Sequence, residues 1–271
     1  MLRLAAPTGS ALRRSLAHLT LMFAALVAAC VSNPLSGRGS YFAFGVEEDT
    51  PLGAAAFQEV LSTERVQTSG PDAQMVERVM NRLVAASREA GWDPGFEWDV
   101  VLIDNPQMVN AFCLPGGKMA VYTGILPVCQ TETGLAVVMG HEISHALARH
   151  GAERVSQEQL KTALFDLGSE IKPEWSQWIE AGRLSVDVLI SLPWGRQQEL
   201  EADEYGLYMM AMAGYDPSES VGFWRRMEQM TGGGDSSMVD QWLSTHPSNE
   251  ERIRQLEELL PKAQGMRPPG S

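Results

Sequence analysis

The sequence predicts an α+β fold, mainly helical, with one small antiparallel sheet. Two observations carry this. Most of the chain from residue 52 onward repeats its apolar residues at helical spacing, as in Met75, Val76, Val79, Met80, Leu83 and Val84. Residues 96–123 change instead to the two-residue alternation of strands, with Pro115-Gly116-Gly117 as a turn between the last two. At 271 residues and 44% hydrophobic content the chain can build a sizeable core. Its net charge of −13 offers no basic footprint for a phosphate backbone, so no nucleic acid is expected as a partner.

Residues 1–29 carry Arg3, Arg13 and Arg14, no acidic residue, and a 14-residue apolar run from Leu16 to Ala29. Spanning the hydrocarbon of a bilayer takes roughly 20 residues, so the run reads as the core of a lipoprotein signal peptide. It ends in Val27-Ala28-Ala29-Cys30, which resembles a lipobox and marks Cys30 for lipidation; an ordinary cleaved signal or a short membrane anchor, with Cys30 incidental, is the alternative. Val31 stands where an Asp would argue for inner-membrane retention. The expected address is therefore the bacterial cell envelope, as a periplasm-facing lipoprotein of the outer membrane whose lipid anchor is its contact with the membrane. Residues 30–51 read as a linker, 52–262 as one domain and 263–271 as a disordered tail. Cys113 and Cys129 flank a strand, whose length argues against their pairing.

Within the domain, helical stretches before Gly91 precede the three strand-like segments FEWDVVLID, VNAFCL and KMAVYTGIL. Further helical stretches follow over 132–150, most of 153–190, 196–213 and 217–230, then the loop GGGDSS and a closing helix EERIRQLEELL.

The chemistry concentrates in ETGLAVVMGHEISHALARHG, read as a helix that ends at Gly151. His141 and His145 are four apart and project from one face, where they can grip one ion, and Glu142 beside them can polarise a bound water. The preceding residues are apolar, so the helix would bury two imidazoles and a carboxylate. Leaving such groups unpaired costs a few kcal/mol each, and a metal resolves the conflict. A second helix carries Glu199 and Asp203 on one face: Glu199 as third ligand, Asp203 as acceptor for the free ring N–H of a ligand histidine. Glu201 points away from that face. His150 does not fit an extended zinc motif and reads as a polar residue of the last helical turn. Trp175, Trp178 and Trp194 fall between the two helices, where some of them could line a cleft.

These segments form an ordered series. HEISHALARH, the upstream NAFCLPGGKMAVYTGIL, the downstream LPWGRQQELEAD and the late THPSNEERI resemble the HtpX, OMA and CAAX prenyl protease type 1 family of gluzincin metalloendopeptidases. With the lipobox, the chain is most similar to the LoiP-like and BepA-like bacterial members, without the tetratricopeptide domain of the latter. The resemblance implies a zincin domain holding one Zn²⁺ through His141, His145 and Glu199, with Glu142 as general base. Its substrates would be unfolded or misassembled envelope polypeptides. An extended substrate would add to an edge strand formed by Lys118, Met119, Ala120, Val121, Tyr122 and Thr123. A non-proteolytic assembly factor with a structural zinc is the competing expectation.

His246 is open to three readings: an exposed residue of a capping turn, a donor to the developing oxyanion with Arg252 as a second candidate, or a fourth ligand that plugs the site. The last two rest on the resemblance, which sets the His-Pro segment beside the zinc.

Overall fold

The computed structural model describes residues 30–169, 189–190, 193–231, 242–247 and 250–270. Residues 1–29, expected to be a signal peptide, and Trp175, Trp178, Gly232–Gly234 and Ser248 lie outside the described residues. Among the described residues no helix is long and apolar enough to cross a membrane.

The segment expected to be a linker is folded onto the domain. Strands β1 (Cys30–Ser32) and β2 (Gly39–Tyr41) pair antiparallel, and the turn between them docks on the body of the protein through buried Asn33. Helix α1 (Asp49–Thr63) begins before Leu52, and buried Asp49 accepts two hydrogen bonds from Arg149 at 2.6 and 2.8 Å. The domain therefore extends well upstream of residue 52. At the other end the closing helix runs to Gln264, with Ala263 fully buried and Met266 packed on the core, so the chain is ordered beyond residue 262.

After α1 come β3 (Val66–Gln67), α2 (Pro71–Glu89), β4 (Asp99–Ile103), β5 (Ala111–Cys113) and β6 (Lys118–Tyr122). The sheet order is β3-β4-β6-β5, and it is mixed: β4 and β6 run parallel, and the two outer pairs are antiparallel. The expected antiparallel pairing holds for the hairpin β5–β6, whose turn takes Gly116 and Gly117 at φ 75° and 92°, open to glycine. It fails for β4, because residues 104–110 cross to the far edge and the hairpin then folds β6 back between β5 and β4. Side chains alternate across the sheet. Leu102, Met119, Val121 and Ala111 enter the larger core with α2, while Ile103, Ala120, Tyr122 and Phe112 pack with α1 residues Ala56 and Phe57.

Among the described residues, a single helical turn at Leu126–Cys129 leads into the longer helices α3 (Glu132–Leu147), α4 (His150–Ser169), α5 (Arg196–Met212), α6 (Glu219–Thr231) and α7 (Glu250–Gln264). Thr131 caps α3 by accepting the Gly134 N–H at 3.0 Å. The helix stops before Gly151, because Arg149 takes a left-handed φ of 57°. The Arg149 guanidinium is held by Asp49 and the Gly45 carbonyl and lies over the Phe42 ring.

Candidate metal centre

Helix α3 is buried from Gly134 to Leu147 and packs along α5. The close approach depends on glycine at the crossing. A Cβ on Gly206 would lie 2.9 Å from the Gly140 carbonyl carbon and from the His141 nitrogen, too near for any side chain. This contact brings Glu199, near the start of α5, against the histidines of α3.

His141, His145 and Glu199 are each no more than 4% exposed, and their ligand atoms lie within 4.8 Å of one another, together with one from His246. The two Nε2 atoms of His141 and His145 stand 3.0 Å apart, and Glu199 Oε1 is 3.3 Å from His145 Nε2. His141 Nδ1 meets Asp203 Oδ1 at 2.9 Å. The opposite ring nitrogens of both histidines are thus engaged elsewhere, so their Nε2 lone pairs face one point beside a carboxylate, deep in the protein. Two imidazoles and a carboxylate are a zinc donor set, and the residues present fit that ion. Burial works against protonation of His141, but the charge of Glu199 and the hydrogen bond to Asp203 raise its pKa to about 9. The same field attracts a metal cation in the proton's place. Burial drives His145 well below its ordinary value, leaving a neutral ligand.

Glu142 is 1% exposed, and its Oε1 is buried without a hydrogen bond among the described residues. Burial raises its pKa above the ordinary carboxylate value, which favours a group that must take up a proton. The site is closed by aromatic rings, with Trp194 stacked on His145 at 4.3 Å and Trp242 stacked on His246 at 4.2 Å.

Several readings from the sequence change here. His246 is buried rather than exposed in a capping turn: its Nδ1 lies 3.0 Å from Glu199 Oε1 and 3.2 Å from His141 Nε2, and Thr245 bonds back to the Trp242 carbonyl. Arg252 is occupied by carboxylates. It grips Asp203 with two hydrogen bonds at 2.6 and 2.7 Å and pairs with Glu199. His150 is fully buried and contacts His145. Glu201 points away from the cluster as expected; burial opposes its ionisation, yet bonds from His150 and Arg38 hold its pKa down to about 2. The strand Lys118–Tyr122 is not an edge. β6 is paired on both sides; among the described residues the edges of the sheet are β3 and β5, and of these it is β5 that packs against α3. Cys113, on β5, is close enough to Glu142 for that charge to reinforce the effect of burial in raising its thiol pKa. Cys113 and Cys129 are both free and buried. The motif NAFC was visible in the sequence, but the hairpin's fold-back that makes it an edge was not.

Residues 71–260 match the peptidase family M48 profile. The mitochondrial metalloendopeptidase OMA1 of Schizosaccharomyces pombe is 35% identical over 237 residues, covering 85% of this chain and 66% of that protein. The Saccharomyces cerevisiae protein of the same name is 30% identical over 243 residues, covering 85% and 69%. The beta-barrel assembly-enhancing protease of Escherichia coli is 28% identical over 159 residues, covering 56% and 32%. The chain thus spans about two thirds of the length of the yeast relatives. These similarities overturn the expected placement as a lipoprotein of the bacterial outer membrane, since the relatives that cover 85% of the chain are mitochondrial proteins of eukaryotes.

Proposed function

The chain belongs to peptidase family M48, and from that premise we propose that it is a zinc-dependent endopeptidase acting on extended, unfolded polypeptides. The observation that carries the reading is the buried donor set of His141, His145 and Glu199 with Glu142 beside it, its Oε1 without a hydrogen bond among the described residues. When bound, zinc supplies a Lewis acid that polarises the scissile carbonyl and lowers the pKa of water towards about 7. Glu142 Oε1 accepts the proton of the attacking water and delivers it to the leaving amine. Asp203 and Arg252 keep His141 and Glu199 oriented. The substrate lies extended against the outer side of β5 and is held through main-chain hydrogen bonds, a mode that selects unpaired backbone over folded protein. The test is removal of zinc by a chelator and its restoration: cleavage of casein stops and returns, while a tightly folded globular control stays intact throughout.

The position of His246 favours a second element of the reading. Its Nδ1 lies among the donor atoms and its Nε2 is 3.4 Å from Glu142 Oε1, so it stands as a fourth ligand that holds the peptidase at rest until substrate displaces its segment. Four protein ligands are also what a structural zinc requires, the arrangement of a non-proteolytic assembly factor. His246→Ala separates these: turnover rises if His246 is a plug, falls if it is an oxyanion donor, and is absent throughout, with zinc binding weakened, if the zinc is structural.

A further inference from the structure

We propose that His150, Glu201 and Arg38 form a directional hydrogen-bond relay that positions the metal ligand His145 and makes the N-terminal hairpin part of the metal site. The proposal rests on the reading above that His145 holds zinc.

The atoms specify the direction. His145 Nε2 faces the donor cluster, 3.0 Å from His141 Nε2 and 3.3 Å from Glu199 Oε1. A neutral imidazole that binds a cation through Nε2 carries its proton on Nδ1. His145 Nδ1 meets His150 Nδ1 at 2.9 Å, so His150 must accept there. Its proton then sits on Nε2, which donates to Glu201 Oε2 at 2.9 Å. The other Glu201 oxygen accepts from Arg38 Nε at 2.7 Å and from the Ser36 hydroxyl at 3.0 Å. Arg38 is fixed in turn by a paired grip on Glu153, at 3.0 and 2.8 Å. Every proton along this path has one donor and one acceptor, and reversing any member would leave two protons or two lone pairs facing each other inside the protein.

The hairpin that presents Arg38 is seated for the purpose. Asn33 accepts the Leu35 and Ser36 N–H groups through its side-chain oxygen and donates to the Ala148 carbonyl at 2.9 Å. That carbonyl belongs to the end of α3, where helix carbonyls lack partners within the helix. Tyr205 of α5 donates to the Leu35 carbonyl at 2.7 Å. The N-terminal turn therefore touches both helices that carry metal ligands.

The partners of metal-ligand histidines typically contribute about 10–100-fold to metal affinity. The experiment measures zinc affinity by chelator competition and the visible spectrum of the cobalt(II)-substituted protein, for the full chain and for His150→Ala, His150→Gln, Glu201→Gln and Arg38→Ala. His150→Ala should weaken zinc binding by about 10–100-fold and shift the cobalt spectrum. His150→Gln, which retains an acceptor and a donor, should recover part of the loss, and Arg38→Ala should weaken binding in the same direction by a smaller factor. A folded His150→Ala protein with wild-type zinc affinity and cobalt spectrum would overturn the relay. If His150→Ala does not fold, Glu201→Gln and Arg38→Ala decide, and wild-type affinity in both overturns it. Weakening by His150→Ala alone overturns the part assigned to the hairpin. A wild-type chain that binds no zinc removes the functional reading itself, and the relay with it.

Discussion

His141 and His145 stand one turn apart on the same helix, yet their outward nitrogens are held by different means. His141 Nδ1 meets Asp203 directly, and Asp203 is clamped by Arg252 from the closing helix. His145 Nδ1 reaches a carboxylate only through His150, and that carboxylate, Glu201, is clamped by Arg38 from the N-terminal hairpin. Each flank ends in a carboxylate and an arginine, but one is short and fully buried while Arg38 retains partial exposure. The difference implies that the His141 flank dominates stability, whereas the His145 flank adjusts the metal from a distance.

The largest effect should come from Asp203→Ala. It leaves Arg252, 1% exposed, without its principal partner, and breaking a buried ion pair from one side costs about 3–5 kcal/mol. Thermal denaturation should show a lowered midpoint and zinc analysis a metal-depleted protein; a midpoint close to wild type would remove the claim that this flank carries the stability. Next is Gly206→Ala, which drives a methyl group against the α3 backbone. Overpacking of this kind costs about 1–3 kcal/mol, and the forced separation of α3 from α5 should also weaken zinc binding by moving Glu199 from the histidines. Retained zinc affinity in Gly206→Ala would mean that the helix crossing tolerates more slack than its geometry indicates. Smallest is the effect of Arg38→Ala on stability, on the order of 1 kcal/mol or less for a partly exposed pair. If calorimetry found it equal to Asp203→Ala, the contrast between the flanks would disappear.

The short flank was legible in the sequence and the long one was not, for a physical reason. Glu199 and Asp203 share a helix face by spacing alone, and the HExxH residues likewise, so periodicity places all of them before any tertiary contact is known. Glu201 was correctly placed off that face. That His150 would meet it depends on the chain turning at Arg149 in a left-handed conformation, a turn fixed by Asp49 a hundred residues upstream. Local pattern carries no signal for such a contact. The same holds for Arg38, whose segment lacks periodicity because it is seated by side-chain hydrogen bonds rather than by an apolar face. Sheet order failed similarly: alternation identified β4, β5 and β6 as strands but is silent on which of them lies at the edge.

The reading of the buried cluster as a hydrolytic metal centre makes Glu142 its base. The most direct measurement pairs zinc content with casein turnover for wild type and Glu142→Gln, the amide being nearly the same shape but unable to take up the water proton. Both proteins should hold one zinc per chain, with cleavage in the wild type and loss of at least about 100-fold in the variant. Wild-type turnover in a zinc-loaded Glu142→Gln protein, or zinc-loaded wild-type and His246→Ala proteins that both cleave nothing, would contradict it.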